Sequence, residues 1–447
     1  MSNHILIEKR INKFNKKIVV SSDKSISIRT VLLASQAVGI SKISNLLESE
    51  DVLNTLKTIK KLGINYRKTG NTYIIEGFGL NGFDTQKEIT INAGNSGTLA
   101  RLILGLLVKS KKKVKLIGDK SLSKRDFSRV INPLRKFGAN IKSKKNLLPI
   151  EILGSEFLRP ITYDENIGSA QVKSCMILAA LNTPGVSVFN TRASRNHTEL
   201  MLKFLKYPLK IKKERGNELI EIQGLSQFKG FNYKVPGDIS SASFFIVLTL
   251  LSKKSEIEIK NVNVNSSRVG IINILNKMGA NIKLKGKKTY KGEKIANIHV
   301  KSKENLKPIN CPAKLNSSAI DEFLIIFLVA AKSKGISKFK DLGEMNKKES
   351  KRLDLGVKFL RSIGIKVDRF KDNVNIHGNP NLILSKNFEI KNFLKDHRIF
   401  FLSCITALTL GGKWKIYDKD SINTSFPNFL EILKKIGAQI NWKEEKT

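Results

Sequence analysis

A short basic turn, Ser21-Ser22-Asp23-Lys24-Ser25-Ile26-Ser27-Ile28-Arg29, follows the apolar run Ile18-Val19-Val20 and leads into a helix-patterned stretch at residues 31–38. A strand end that opens into a helix in this way suits an anion, because unpaired amides and the helix dipole both favour negative charge there. Lys24 offers a mobile point charge and Arg29 a planar fork. The same pattern also suits an N-cap followed by a solvated basic turn. Similar helix mouths recur along the chain. Asn92-Ala93-Gly94-Asn95-Ser96-Gly97-Thr98 lets backbone amides approach a ligand closely, although its spacing is neither that of a P-loop nor that of a dinucleotide fingerprint. Arg125 follows the turn at residues 118–124, and Ser169-Ala170-Gln171 and Ser194-Arg195 each open a further segment. Taken singly, each of these is equally a capped helix start.

The later half carries the titratable groups. Asp321 and Glu322 interrupt an otherwise apolar stretch at residues 319–331, where a carboxylate is either a cap or a base. Lys348 and Arg352 are spaced to share one helical face with Glu349 beside them, a pattern that also fits a solvated charge cluster. Asp396-His397-Arg398 introduces the apolar residues 399–410, which sets Arg398 at a helix mouth. Lys24, Arg29, Arg125, Arg195, Lys348, Arg352 and Arg398 together would serve two anions, one of them bearing both carboxylate and phosphate.

Elements must position these groups, and the composition limits which. A chain of 447 residues with 41% hydrophobic content can bury a large core and favours two or three domains. The three cysteines, Cys175, Cys311 and Cys404, are far apart, which argues against a disulfide framework or a zinc site and fits a reducing cytoplasm. The N-terminus has no apolar core of signal-peptide length, and the longest apolar run, Phe323–Ala331, is too short to cross a bilayer. The formal charge of +42 raises nucleic-acid binding as a possibility. Its lysines are spread over the whole chain, however, and no zinc-finger or aromatic RNA-binding motif accompanies them. A basic solvated surface suited to small anions is the preferred reading.

One phrase returns six times: an amphipathic helix, a glycine, a short strand, a basic turn and a second strand. The copies centre on Gly63, Gly138, Gly279, Gly364 and Gly437, with a weaker one that places Pro208 near the glycine position. Glycine there is what a left-handed helix C-cap wants. The sixth copy runs out at Lys443-Glu444-Glu445-Lys446-Thr447 without a returning strand, whereas Ile5-Leu6-Ile7-Glu8 is a strand with no helix before it. The first strand is therefore expected to complete the last repeat. That puts residues 1–20 and 238–447 in one domain and residues 21–237 in an inserted one, three repeats in each.

These motifs, in order, resemble the 5-enolpyruvylshikimate-3-phosphate synthase family, the 3-phosphoshikimate 1-carboxyvinyltransferases. The resemblance covers nearly the whole chain. It rests on Asp23-Lys24-Ser25, Gly94-Asn95-Ser96-Gly97-Thr98, Gly118 through Arg129, Ser169-Ala170-Gln171, Val235-Pro236-Gly237-Asp238, Lys348-Glu349-Ser350, Asp396-His397-Arg398 and Thr424-Ser425-Phe426-Pro427. It implies an α/β fold of the inside-out barrel kind, two domains of three repeats each joined by a double crossover. The implied reaction converts phosphoenolpyruvate and shikimate 3-phosphate to 5-enolpyruvylshikimate 3-phosphate and phosphate in the interdomain cleft, a step towards chorismate and the aromatic amino acids.

By the same resemblance, Lys24, Ser25, Arg29, Ser169, Ala170, Gln171, Ser194, Arg195, Asp321 and Lys348 hold shikimate 3-phosphate. Lys24, Gly97, Arg125, Gln171, Arg352 and Arg398 hold phosphoenolpyruvate. Asp321 is the implied base for the 5-hydroxyl, and Glu349 with Lys24 the implied proton source. Acid and base must be placed separately because protonating the alkene carbon builds cationic character beside a carboxylate and a phosphate. Domain closure would exclude water. The scheme requires no metal or organic cofactor, no nucleic acid and no membrane, and a cytoplasmic monomer is expected. Gly97 implies sensitivity to glyphosate.

This chain departs from the family pattern in places. Asp126 stands after Arg125 where many relatives have proline, Thr424 where some have a ligand-binding lysine, and Glu344 where some have asparagine. The alternatives are the sister transferase acting on a UDP-amino sugar and a basic RNA-binding scaffold. Against the first, residues 109–129 contain no cysteine and Lys24 is followed by serine.

Overall fold

The computed structural model describes residues 3–214 and 216–444. The chain divides into two compact units. Unit 1 comprises Met1–Ser21, Pro236–Thr289 and Lys294–Thr447, and unit 2 comprises Ser22–Val235 and Tyr290–Glu293. Each has its own apolar core.

The helices of unit 2 are α1 (Lys24–Ser35), α2 (Glu50–Lys61), α3 (Gly97–Leu106), α4 (Ser128–Phe137), α5 (Ala170–Leu181) and α6 (His197–Phe204). Those of unit 1 are α7 (Ile239–Leu251), α8 (Gly270–Lys277), the short α9 (Asn316–Ala319), α10 (Phe323–Ala331), α11 (Arg352–Ser362), α12 (His397–Leu410) and α13 (Phe429–Lys435). They fall into two kinds. α1, α3, α5, α7, α10 and α12 are buried along nearly their whole length, α10 being apolar throughout. The others keep an apolar stripe only. α4, for example, buries Val130, Ile131, Pro133, Leu134 and Phe137 and leaves Arg135 and Lys136 outside.

Sheets cover the buried helices, and one topology recurs. In unit 2, strand Val38–Ser44 pairs in parallel with Asn232–Lys234 and antiparallel with Thr72–Phe78, which pairs with Tyr66–Thr69. Val114–Ile117 and Val186–Arg192 hold the same place in the next two sheets. In unit 1, Glu256–Asn263 pairs in parallel with Asn15–Ile18 and antiparallel with Glu293–Lys301. The three-stranded sheet of Gly335–Phe339 keeps its parallel neighbour only as a bridge from Asn310 to Lys338. In the last sheet the first strand, Asn3–Ile7, lies between Gly411–Tyr417 and Asn441–Glu444. The N-terminal strand therefore completes the sixth repeat; Glu445, Lys446 and Thr447 lie outside the described residues.

Close helix approach in unit 2 depends on a glycine. A Cβ on Gly105 of α3 would lie 2.3 Å from the carbonyl oxygen of Cys175 in α5.

Four sequence expectations are corrected. In the third repeat Lys206, with φ +56°, takes the left-handed position that glycine holds elsewhere, not Pro208. Residues 290–293, expected with the terminal segments, group with unit 2, because Tyr290 packs against Tyr233 with ring centroids 5.6 Å apart. The apolar stretch 319–331 is not one helix. It breaks between α9 and α10, and Asp321 lies in the break. Finally, Lys348 is extended (φ −87°, ψ −159°) and α11 begins only at Arg352, so the two do not share a helical face. No helix among the described residues is long and apolar enough to cross a membrane.

Candidate active site

In unit 2 the expected site residues lie in the first turns of helices and in the loops that precede them. Asp23 caps α1 by accepting from the Ile26 amide at 2.9 Å, which sets Lys24 and Ser25 in the first turn. Lys24 Nζ lies 2.8 Å from Oδ2 of Asp51, a buried residue of the first turn of α2. Arg29 is buried and its guanidinium joins three elements. Nη1 donates to the Ser25 carbonyl at 3.1 Å, Nη2 to Ser174 Oγ of α5 at 3.0 Å, and Nε to Thr198 Oγ1 of α6 at 2.9 Å.

A second group surrounds Gly97. A Cβ at that residue would sit 2.7 Å from Arg125 Nη1 and 2.8 Å from Arg101 Nη1, so the bare backbone is what admits both guanidinium groups. Arg101 lies over the Phe127 ring, 4.8 Å from its centroid, and donates to Gln171 Oε1 at 3.1 Å and to the Gly97 carbonyl at 3.2 Å. Gln171 Nε2 in turn donates to Thr98 Oγ1 at 3.0 Å. Gly97, Arg125 and Gln171 are thus brought together through Arg101, a residue the sequence reading passed over. Asp126 does not direct its charge at Arg125. Its carboxylate accepts from the amide of Ser128 at 2.8 Å and from its hydroxyl at 2.5 Å, at the start of α4.

Ser169 caps α5, ahead of Ala170 and Gln171, by accepting from the Val172 amide at 3.4 Å. Glu165 accepts from the amides of Ile167, Gly168 and Ser169 at 2.8–3.2 Å, so a carboxylate of the protein already fills that amide nest. Ser194 and Arg195 lie in the loop before α6. Ser194 is buried, and its hydroxyl has no hydrogen-bond partner among the described residues.

Unit 1 gathers all five of its expected residues into one cluster. Arg352 is buried, with Nε donating to Asp396 Oδ2 at 2.9 Å and Nη1 to Asp321 Oδ1 at 3.3 Å, while Nη2 forms an ion pair with Glu349 Oε2. Lys348 Nζ reaches the same Asp321 oxygen at 3.3 Å, from outside the helix. Arg398 donates from Nη1 to the main-chain carbonyl of Asp321 at 2.7 Å. Asp396, whose part the sequence reading did not assign, caps α12 through the Arg398 amide at 3.0 Å and accepts from Ser350 Oγ at 2.7 Å. Burial alone would lower the Arg352 pKa, but Asp396, Glu349 and Asp321 outweigh it and hold the guanidinium above its ordinary range. Burial likewise opposes the charge on Asp396, yet Arg352 prevails and keeps that carboxyl below the usual range.

Of the remaining departures, Thr424 Oγ1 lies 3.1 Å from His397 Nδ1, and Glu344 pairs with Lys347 Nζ at 2.9 Å. Among the described residues no group of three or more His, Cys, Asp or Glu side chains is arranged to hold a metal ion. No sequence signal marks Asp51 or Arg101, since each acts through a partner that only folding supplies; Glu165, which the sequence reading also passed over, acts on amides two to four residues on.

In unit 2 Arg125 can hold an anion; in unit 1 Arg352 and Arg398 can, and two carboxylates there, Asp321 and Glu349, lie on different nitrogens of one guanidinium. The family model described as EPSP synthase (3-phosphoshikimate 1-carboxyvinyltransferase) matches residues 9–446. A 3-phosphoshikimate 1-carboxyvinyltransferase of Ruthia magnifica is 41% identical, over 97% of this chain and 98% of that protein. Its counterpart in Petrotoga mobilis is 37% identical, over 94% and 97%. Among solved structures, an EPSP synthase from Acinetobacter baumannii superposes with a TM-score of 0.86 at 32% identity, over 99% of this chain and all of that one. The enolpyruvyl transferase NikO of Streptomyces tendae, at a TM-score of 0.77 and 14% identity, shares the fold. The chain belongs to the EPSP synthase (3-phosphoshikimate 1-carboxyvinyltransferase) family.

Proposed function

We propose that this protein transfers the enolpyruvyl group of phosphoenolpyruvate to the 5-hydroxyl of shikimate 3-phosphate and releases phosphate. Asp321 takes the proton of the attacking hydroxyl while Glu349, with Lys24, delivers one to the methylene carbon of phosphoenolpyruvate. The adduct then returns a proton from that carbon to Glu349 while its C–O bond to phosphate breaks, and the proton held by Asp321 passes to the departing phosphate, which restores both groups. Separate placement of acid and base is what this addition and elimination demand. Arg125, Arg352 and Arg398, with the open backbone at Gly97, hold phosphoenolpyruvate and stabilise the departing phosphate. Ser25, Arg29, Ser169, Ala170, Ser194, Arg195 and Lys348 hold shikimate 3-phosphate, and Gln171 and Lys24 serve both ligands.

The observation that carries the reading is Asp321 Oδ1 set 3.3 Å from both Lys348 Nζ and Arg352 Nη1, with Glu349 on another nitrogen of the same arginine. Phosphate release measured with both substrates, wild type beside Asp321→Ala, tests it. Unchanged turnover in the variant would remove Asp321 from its role.

The chain is read as a cytoplasmic monomer whose basic surface serves small anions, not nucleic acid; its three cysteines are free and buried. Size-exclusion chromatography at assay concentration tests the oligomeric state.

A further inference from the structure

Three consecutive side chains at the start of α6 are each fastened to another element of unit 2. His197 Nδ1 lies 2.6 Å from Glu293 Oε1, and both side chains are fully buried. Thr198 Oγ1 accepts from Arg29 Nε of α1 and lies 2.8 Å from Ser174 Oγ of α5. Glu199 Oε1 lies 2.6 Å from Lys173 Nζ of α5. Asn196 gives this helix no side-chain cap, so these ties, not a cap, orient its first turn. Immediately before that turn stand Ser194, with its buried and unpartnered hydroxyl, and Arg195. A buried hydroxyl without a partner costs free energy, and a ligand that supplies the partner removes the cost.

Two of the three ties run to helices that carry site residues of their own. The third runs to a hairpin tip that no site residue explains. Lys291 (φ +49°) and Gly292 (φ +87°) form a two-residue turn with positive φ at both positions, the geometry that fits the twist of paired strands. Lys291 Nζ stands 4.9, 5.8 and 5.3 Å from the ring centroids of Phe204, Tyr233 and Tyr290 and donates to the Asn232 carbonyl. The Tyr290 hydroxyl accepts from the Lys234 amide at 3.0 Å. A Cβ on Gly292 would lie 3.0 Å from the Leu200 carbonyl oxygen, so the turn rests against α6 itself. These contacts fasten the turn that leads into Glu293, whose carboxylate lies beside His197.

We propose that His197 and Glu293 are positioning residues for the phosphorylated substrate. Their hydrogen bond fixes the first turn of α6, so that the loop before it presents the Ser194 hydroxyl and the Arg195 guanidinium to the phosphate of shikimate 3-phosphate. The inference rests on the assignment of Ser194 and Arg195 made above. Neither His197 nor Glu293 touches substrate.

Steady-state kinetics with each substrate varied, together with thermal melting, test the proposal on Glu293→Gln and His197→Ala, with Ser194→Ala and Arg195→Ala as references. The expected result for both positioning variants is a KM for shikimate 3-phosphate raised roughly tenfold, with the KM for phosphoenolpyruvate within about twofold of wild type. The double variant should be little worse than the worse single one, since both remove one interaction. Should both KM values stay put while the melting temperature falls, or rise together, the pair is merely structural and the proposal is overturned. If the Ser194 and Arg195 variants leave the KM for shikimate 3-phosphate unchanged, the phosphate assignment itself fails. If they raise it while the His197 and Glu293 variants do not, only the positioning inference fails. Glu293→Gln preserves size, so it carries the test if His197→Ala does not fold.

Discussion

Arg352 in unit 1 and Lys173 in unit 2 are both buried cations ringed by carboxylates. Lys173 Nζ lies 2.6 Å from Glu199 and 2.8 Å from Glu218, whose side chains are 1% and 6% exposed. Arg352 meets Asp396, which is sealed, but also Asp321 and Glu349, which remain 12% and 24% exposed. In both cases burial works against the cation and the carboxylates override it, so each pKa is raised. What differs is which partners can be reached. A charge cluster closed on every side fixes helices relative to one another, whereas one that leaves two carboxylates at its edge can also exchange protons with a ligand. Guanidinium geometry contributes, because its planar fork holds several carboxylates apart at once while an ammonium gathers them to a point.

The sharpest way to break this comparison is to remove one exposed carboxylate. Asp321→Ala should lower kcat by about 10²- to 10⁴-fold with little change in melting temperature, as read by phosphate release and calorimetry. Removing the sealed cation should do the reverse. Lys173→Met leaves two buried carboxylates uncompensated and should cost about 3–5 kcal/mol in denaturant unfolding, most of it recovered when Glu199→Gln and Glu218→Gln are added. A Lys173→Met protein as stable as wild type would end the comparison.

The pH dependence of stability separates the two units. Asp396 has a lowered folded pKa, so its contribution is present above the unfolded carboxyl value of about 4 and is lost as pH falls through the folded value. Lys173 has a raised one, so its contribution is complete below the unfolded value of about 10.4 and is lost as pH rises through the folded value. Asp396→Asn should therefore flatten the acid limb of the melting profile, and Lys173→Met the alkaline limb.

Smaller effects sharpen the picture within unit 2. Gly97→Ala would push its Cβ to within 2.8 Å of Arg101 and Arg125, and should weaken phosphoenolpyruvate by about 1 kcal/mol, roughly fivefold in KM. The wild-type enzyme should be inhibited by glyphosate, and activity indifferent to millimolar inhibitor would contradict the open site at Gly97. Lys206→Gly relieves the left-handed conformation where the other repeats use glycine, and should stabilise the protein by about 0.5–1 kcal/mol in a denaturant titration.

Most of the architecture was legible because it is written in local patterns. α10 is apolar on every side and so must be interior, while α4 shows its stripe in the spacing of Val130, Ile131, Leu134 and Phe137. The strand Asn3–Ile7 could be matched to the last repeat because that repeat visibly lacked one. The break at Asp321 was not legible, since the apolar residues on both sides of it suit one continuous helix. Nor was the course of Lys348, whose spacing from Arg352 imitates a helical pair while its chain is extended.

The sequence by itself determined the repeats, the buried and surface helices and the identity of most residues at the helix mouths, because periodicity and capping act over a few positions. Only the tertiary structure decided that Lys24 meets Asp51, 27 residues on, that Arg101 reaches Gln171, 70 residues on, and that Arg352 is held by Asp396, 44 residues on. Electrostatic partners are chosen by which elements pack against one another, and no local pattern carries that choice.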